Sequence, residues 1–204
     1  MLHKDLVVSK KVFIIDAGVD AGFAKGQLSH HLVDIAKEVA EAKGMSVEIT
    51  RLADVPNYAY DVESEADKIA NADYIIFQVP GYWMHEPWQL KKYMDEVMVN
   101  SKVSNGDGRH RNDPEAHRKY GTGGILKGKY MISSTWNAPA EAFTDPSQFF
   151  EGKGVDGTFF AMHKAMHFIG LKPLKSIMIN DIYKNPTLEE DFVRFRAHLE
   201  AELV

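Results

Sequence analysis

FQVPGYWMHEPWQLKKYMDEV, residues 77–97, is the stretch that decides the fold. It opens on the end of an apolar run, ADYIIFQV, and turns at Pro80-Gly81. It then presents Tyr82, Trp83 and Trp88 in close succession and enters a helical pattern at Pro87, where a proline suits the first turn. A strand that ends in a turn carrying large flat rings sets them where a parallel sheet opens to ligands. The stretch predicts strand, ligand-binding connection and helix, with a planar aromatic cofactor on the connection. A competing reading makes Trp83, Met84 and Trp88 core residues, a common fate of aromatic stripes at helical spacing. Pro80-Gly81 and His85-Glu86-Pro87 mark a connection instead, and connections run at the surface.

Working outward, the same alternation recurs. KVFIIDAG (11–18) is a β-branched run ending at Gly18, followed by helical spacing through Leu28, Leu32, Ile35, Ala36, Val39 and Ala40. SVEITRL (46–52) reads as a second strand after the Gly44 stop, and DVESEADKIANA (61–72) as a short acid-started helix leading into the third. Helix three runs from about Pro87 to Val99. KYMISSTW (129–136) is strand four, a helix follows over about 157–169, PLKSIMIND (173–181) is strand five, and Asn185-Pro186-Thr187 caps a last helix reaching Leu203. Five strands alternating with helices imply an α/β, doubly wound parallel sheet covered on both faces. With five strands the flavodoxin-like order 2-1-3-4-5 is expected, within a single domain over 1–204. The polar stretch of about 100–128 is long for a structureless connection, which points to a functional loop or one resting on a partner.

Composition narrows the function. The 204 residues carry 24 Lys and Arg against 29 Asp and Glu, a net charge of −5, so the surface as a whole does not mark a binder of nucleic acid or anionic membrane. The basic run Arg109-His110-Arg111 with His117-Arg118-Lys119 is too short to change that; it either meets the phosphate end of a nucleotide or is solvated. Zero cysteines exclude disulfides, thiolate catalysis and Cys-ligated metals, so any redox chemistry needs a borrowed group. No apolar run approaches a membrane span and the first residues lack a secretory h-region, so a soluble, cytoplasmic protein without a membrane anchor is expected.

In the order 2-1-3-4-5 the loops after strands one, three and four meet at one edge. The first, AGVDAGFAKGQLSHH (17–31), offers glycines, Lys25 and Ser29 ahead of a helix N-terminus, whose free N–H groups and positive dipole end favour phosphate. It is neither GxGxxG nor a Walker loop, and ordinary helix capping explains it equally well. The loop after strand three supplies Gly81, Tyr82, Trp83 and Met84. The loop after strand four, Ser134-Thr135-Trp136-Asn137-Ala138-Pro139, sets amides and hydroxyls beside another tryptophan. Such amides can face the edge of a flavin where charge gathers on reduction, or simply end a strand.

GQL (26–28), QVPGYWMHEPWQLKKYMDEV (78–97), KYGTGG (119–124), YMISSTWNAPAEAF (130–143), QFFEGKGVDG (148–157) and HKAMHFIGLKPL (163–174) together closely resemble the MdaB-type NAD(P)H:quinone oxidoreductases of the flavodoxin-like quinone reductase superfamily. The resemblance runs from about residue 11 to the last helix. It implies a homodimer that binds FAD, FMN being the less expected flavin, with NAD(P)H as co-substrate, a quinone as acceptor and the partner subunit completing each site. Carried over by motif, the phosphate and ribityl loop is Ala24, Lys25, Gly26, Gln27, Leu28, Ser29, His30 and His31. The ring contacts are Gly81, Tyr82, Trp83, Met84, Ser134, Thr135, Trp136 and Asn137, with Tyr120 from the long loop. Ala24 and Lys25 depart from a family loop richer in Ser and Asn, which weakens side-chain contacts to a pyrophosphate and leaves backbone contacts intact.

The implied reaction is a two-electron, ping-pong hydride relay in which no side chain need be a covalent or acid–base catalyst. Phe143, Phe149 and Phe150, with Tyr120, are candidate walls for a flat apolar acceptor; the phenylalanines serve equally well as core or interface filler. His163 and His167 stand four apart on a helix, but with no glutamate after His163 and no third ligand in view, packing or hydrogen bonding is the expected role and no metal is expected. Other readings are an azo- or nitroreductase of the same fold, or a non-enzymatic flavin carrier or regulatory subunit. A long polar loop and an aromatic-rich one favour a substrate pocket over a carrier's bare docking face.

Overall fold

A computed structural model describes residues 9–22, 24–109 and 119–204; the basic run at 110–111 and 117–118 lies outside them. The strands are β1 (Lys11–Asp16), β2 (Ser46–Arg51), β3 (Tyr74–Pro80), β4 (Lys129–Thr135), β5 (Lys172–Pro173) and β6 (Ile177–Ile179). The helices are α1 (Gln27–Ala42), α2 (Val62–Asn71), α3 (Trp88–Val97), α4 (Glu141–Thr144), α5 (Gly154–Thr158), α6 (Phe160–Phe168) and α7 (Leu188–Glu202). Every strand pair is parallel and the order is β2-β1-β3-β4-β5, with β6 also on β4. The expected flavodoxin-like order is therefore present.

Three expectations need correction. The single strand over 173–181 is two pieces: β5 pairs at Lys129 and Tyr130, β6 at Ser133 to Thr135, and residues 174–176 bulge between them. The helix over 157–169 is two helices meeting at Phe159, whose φ of −102° and ψ of 29° break the helical run. Thr187 stands at the start of α7 but makes no capping bond to the backbone; its hydroxyl instead donates to Asp191 Oδ2 at 3.1 Å. Asp61, by contrast, caps α2 by accepting from Ser64 N–H.

β1 and β3 are buried almost throughout because both faces are covered. Val12, Ile14, Tyr74, Ile76 and Met131 face α1 and α7, while Phe13, Ile15, Ile75, Phe77 and Ile132 face α2, α3 and α6. This alternation is the two-residue period of a strand. Where the α1 face reaches the C-terminal ends of the strands, hydrocarbon gives way to Asp16, Gln78 and Ser133, side by side in register. Ser133 Oγ donates to Gln78 Oε1 at 2.6 Å. Asp16 accepts from the Gly18 N–H at 2.9 Å and lies 2.6 Å from His30 Nδ1 and 3.4 Å from Arg51 Nη1.

Burial pushes the Asp16 carboxyl up from 3.8, against the lowering by His30, the Gly18 N–H and Arg51. Because the folded state holds that proton more tightly than the unfolded chain does, the group's contribution is complete at acid pH. It is lost as pH rises through the folded value. Asp16→Asn removes this titration: urea midpoints of the ligand-free variant, followed from pH 4 to pH 7 across the range that begins near 3.8, fall less with rising pH than those of the parent. Equal slopes would show that the carboxyl titrates alike in both states.

Candidate cofactor-binding site

The loop from β1 to α1 folds back on itself through two glycines. Gly26, at φ 69°, is the residue before α1; a Cβ there would stand 2.8 Å from the Gly18 carbonyl carbon. A Cβ on Gly18 would stand 2.6 Å from Ser29 Cβ. Only glycine permits this approach at both positions. No side chain caps α1, and its first turn holds no acid. The first amide of this turn with a backbone partner is His30, donating to Gly26 O, so among the described residues the N–H groups of Gln27, Leu28 and Ser29 are open to an anion.

β3 leaves the sheet at Gly81, whose N–H donates to Thr135 O at 3.0 Å. A Cβ on Gly81 would come within 2.3 Å of the Trp136 indole. The tryptophan lies directly beneath the turn, 5% exposed, edge-on to Phe143, Phe150 and Phe159 at 5.1, 5.6 and 6.2 Å. Its Nε1 donates to Ser134 Oγ, which donates in turn to Val79 O. Trp136 and Ser134 thus form the support under a flat backbone platform; beside it the cleft is lined by Thr135, itself buried, and by the exposed Asn137.

Tyr82 and His85 exchange two backbone hydrogen bonds, 2.8 and 3.0 Å, and close a two-residue hairpin on Trp83 and Met84. Both tip residues hold positive φ, 44° and 68°. Such turns normally take Asn or Gly, and each non-glycine residue there costs on the order of 1 kcal/mol or more. The strained tip leaves Trp83 95% exposed. Tyr82 points the other way, its hydroxyl donating to Val19 O at 3.1 Å and tying the β3 loop to the β1 loop. Burial pushes the Tyr82 hydroxyl up, with Tyr183 and Asp20 adding to it, so at neutral pH it stays a donor.

These pieces enclose a cleft of about 410 Å³ at the C-terminal edge of the sheet. It gathers Ala24, Lys25, Gly26, Gln27, Leu28 and Ser29 with Gly81, Tyr82, Thr135 and Asn137 from the expected set. Lys25 reaches it as the exposed partner of Asp20. The remaining candidates fall elsewhere. His30 turns to Asp16, His31 packs edge-on against Phe192 at 4.6 Å, and Trp83 and Met84 ride on the hairpin tip. Phe143 is buried and stacks on Phe150 at 4.2 Å, while Phe149 is 72% exposed. Tyr120 is also exposed, lying 5.5 Å from Phe168 beyond the opposite end of β4.

Sequence reasoning missed the fourth wall: Pro80 and, after β6, Ile182, Tyr183 and Leu188 also line the cleft. The Tyr183 N–H donates to Asn137 Oδ1 at 3.3 Å. The signal was available, since a fifth strand beside the fourth delivers its following loop to the same edge. The donor set suits a phosphate-bearing planar group: open helix amides for the phosphate, and a side-chain-free turn over an indole for the ring.

The family model described as "Flavodoxin-like fold" matches residues 10–203. The chain is 45% identical over 192 residues to NADPH:quinone oxidoreductase MdaB of Haemophilus influenzae, covering 93% of this chain and 97% of that protein. Among solved structures, a Klebsiella pneumoniae protein described as a quinone reductase superposes with a TM-score of 0.70 at 21% identity, over 96% of this chain and 84% of that one. The FMN complex of general stress protein 14 of Treponema denticola gives 0.59 at 14% identity, over 96% of both chains. These two show the likeness of fold. Sheet order, the family match and the near full-length relative agree: the chain belongs to the flavodoxin-like family of MdaB-type NAD(P)H:quinone oxidoreductases.

Proposed function

We propose that the chain reduces quinones by two electrons at the expense of NAD(P)H, using a flavin bound in the C-terminal cleft. The observation that carries this reading is the meeting of open α1 amides with the Gly81 platform over Trp136, in a family whose Haemophilus influenzae member is an NADPH:quinone oxidoreductase. A bound flavin would supply the two-electron redox chemistry, with the nicotinamide and the quinone sharing one place in the cleft. The chain's own work is binding and orientation. Gln27, Leu28 and Ser29 hold phosphate through their N–H groups. Gly81 and Tyr82 underlie the ring, and Thr135 and Asn137 meet its polar edge. FAD is the flavin favoured by the sequence resemblance, FMN the alternative.

The site is completed by a second copy. Tyr120 lies at the far end of the sheet from the cleft of its own chain, so if it meets the flavin or the acceptor it does so in a partner's site. Trp83, Trp88, Phe149 and Phe160 are all more than half exposed, an apolar surface suited to such an assembly. No helix among the described residues is long and apolar enough to cross a membrane; a cytoplasmic setting, where NAD(P)H is at hand, fits this reading.

The purified full chain is expected to be yellow and to release FAD on denaturation, identified by chromatography. Colourless protein unable to take up FAD or FMN would remove the flavin reading. With NADPH and menadione varied together, parallel double-reciprocal lines are expected; intersecting lines would mean two separate binding places. Trp83→Gly relieves a positive φ and should raise ligand-free stability by about 1 kcal/mol. It also deletes a stacking face, so kcat/KM for the quinone should fall up to about tenfold. A variant neither more stable nor slower would free Trp83 of both roles.

A further inference from the structure

A carboxylate is buried directly behind the anion-facing turn of the cleft. Asp16 ends β1 with no exposed surface. Gly18 lies between it and the first turn of α1: a Cβ placed on Gly18 would stand 3.0 Å from Asp16 Oδ1 and 2.6 Å from Ser29 Cβ. On the cleft side of that turn are the open N–H groups of Gln27, Leu28 and Ser29. A buried negative charge so placed opposes the attraction that the helix amides exert on a phosphate. The turn therefore needs a positive charge to offset it.

The groups that face Asp16 come from three elements and the loop. From α1, His30 sets Nδ1 2.6 Å from Asp16 Oδ2, and from β2, Arg51 sets Nη1 3.4 Å from the same oxygen. The Gly18 N–H donates to Oδ1 at 2.9 Å. From β3, Gln78 stands opposite Asp16 in register, its Oε1 held by Ser133 and its Nε2 buried without a partner among the described residues. Arg51 is shared, since its Nη2 lies 2.5 Å from Asp34 Oδ1. Two carboxylates thus surround one fixed cation, and the imidazole decides whether the group is negative or balanced. In the loop itself, Lys25 is already matched by Asp20, and His31 packs against Phe192 instead.

With Asp16 ionised, His30 Nδ1 carries a proton and donates to it. Nε2, which makes no hydrogen bond among the described residues, is then the atom that gains a second proton. The His30 side chain is 27% exposed while that of Asp16 is sealed, so the proton enters through the ring.

Given the flavin reading above, we propose that Asp16 and His30 are positioning residues of the phosphate subsite, a coupled pair that takes up a proton when the cofactor's phosphate settles on the first turn of α1. An anion there strengthens the pair's hold on its proton, so binding consumes protons and tightens as pH falls. The proton belongs to the pair and not to either residue alone.

The test is calorimetric titration of the full chain, stripped of flavin, in two buffers of different ionisation enthalpy, which counts protons taken up per ligand bound. FAD is the probe because its pyrophosphate stays ionised throughout, whereas the FMN monoester itself titrates near about pH 6. FAD should bind with net proton uptake at pH 7, and its Kd should rise about tenfold from pH 6 to pH 8, the size of a moderate coupling between sites. ADP-ribose, with a pyrophosphate and no flavin, should show the same uptake, and riboflavin none. Asp16→Asn removes the opposing charge, so FAD should bind at pH 8 as tightly as the parent does at pH 6. His30→Gln keeps a donor for Asp16 but gains no proton, so its affinity should stay at the parent's pH 8 value throughout. His31→Gln should keep the parent's pH dependence. A merely structural pair would give two variants equally weakened at every pH. FAD bound without proton uptake, equal uptake with riboflavin, or parent-like uptake in both Asp16→Asn and His30→Gln would overturn the proposal and leave the flavin reading standing. Uptake with ADP-ribose in a chain that binds no flavin would do the reverse, and a chain that binds neither would overturn both.

Discussion

The contact on which the site depends is that of the Gly81 backbone with the Trp136 indole. β3 and β4 stay in register to Pro80 and Thr135, and immediately beyond that pair one strand turns over the side chain of the other. There is no room for even a methyl group between them. The indole is fixed from below by three phenylalanines and from the side by Ser134, so the turn above it is held flat and free of side chains. A bulky residue is thus buried to make an open surface. Packing at crystal-like density makes that surface rigid, where an unsupported loop would move.

Rigidity beneath is combined with strain beside it. The hairpin at Trp83 and Met84 adopts a geometry that Asn and Gly would adopt without cost, yet it carries two large side chains. The penalty is tolerated because Tyr82 is tethered to Val19 and the turn closes with two hydrogen bonds. The buried polar row of Asp16, Gln78 and Ser133 adds a second departure from a simple core. It stands under the loop from β1 to α1, and through the Gly18 N–H and His30 it couples that loop's conformation to the sheet. Strain and buried charge therefore sit together at the C-terminal edge, where the fold brings four loops into contact.

The other end of the molecule uses the same device for a different shape. Gly124 and Gly170 let two backbones touch, and the cavity they border is polar around His163 and apolar along Leu171 and Pro173. In both places glycine is present because backbone must approach backbone or a ring, so these positions constrain the fold without contributing a side chain.

Periodicity and β-branched runs were enough to place β1 to β4 and the four long helices, because strands buried on both faces read as uninterrupted apolar runs. They also implied that the loops after strands one, three and four meet at one edge. The break in the fifth strand was not legible: PLKSIMIND is locally a good strand, and its bulge arises where the edge strand leaves β4 between Tyr130 and Ser133. Nor could spacing tell which rings face out. Trp83 and Trp136 look alike in sequence, each following a strand, yet one is at a hairpin tip and the other beneath a glycine. Local sequence determines where chain turns occur, whereas which side of a turn a ring occupies depends on what the neighbouring strand puts underneath it. That neighbour is contributed from more than fifty residues away, as Gly81 and Trp136 are, and only the folded sheet brings the two together.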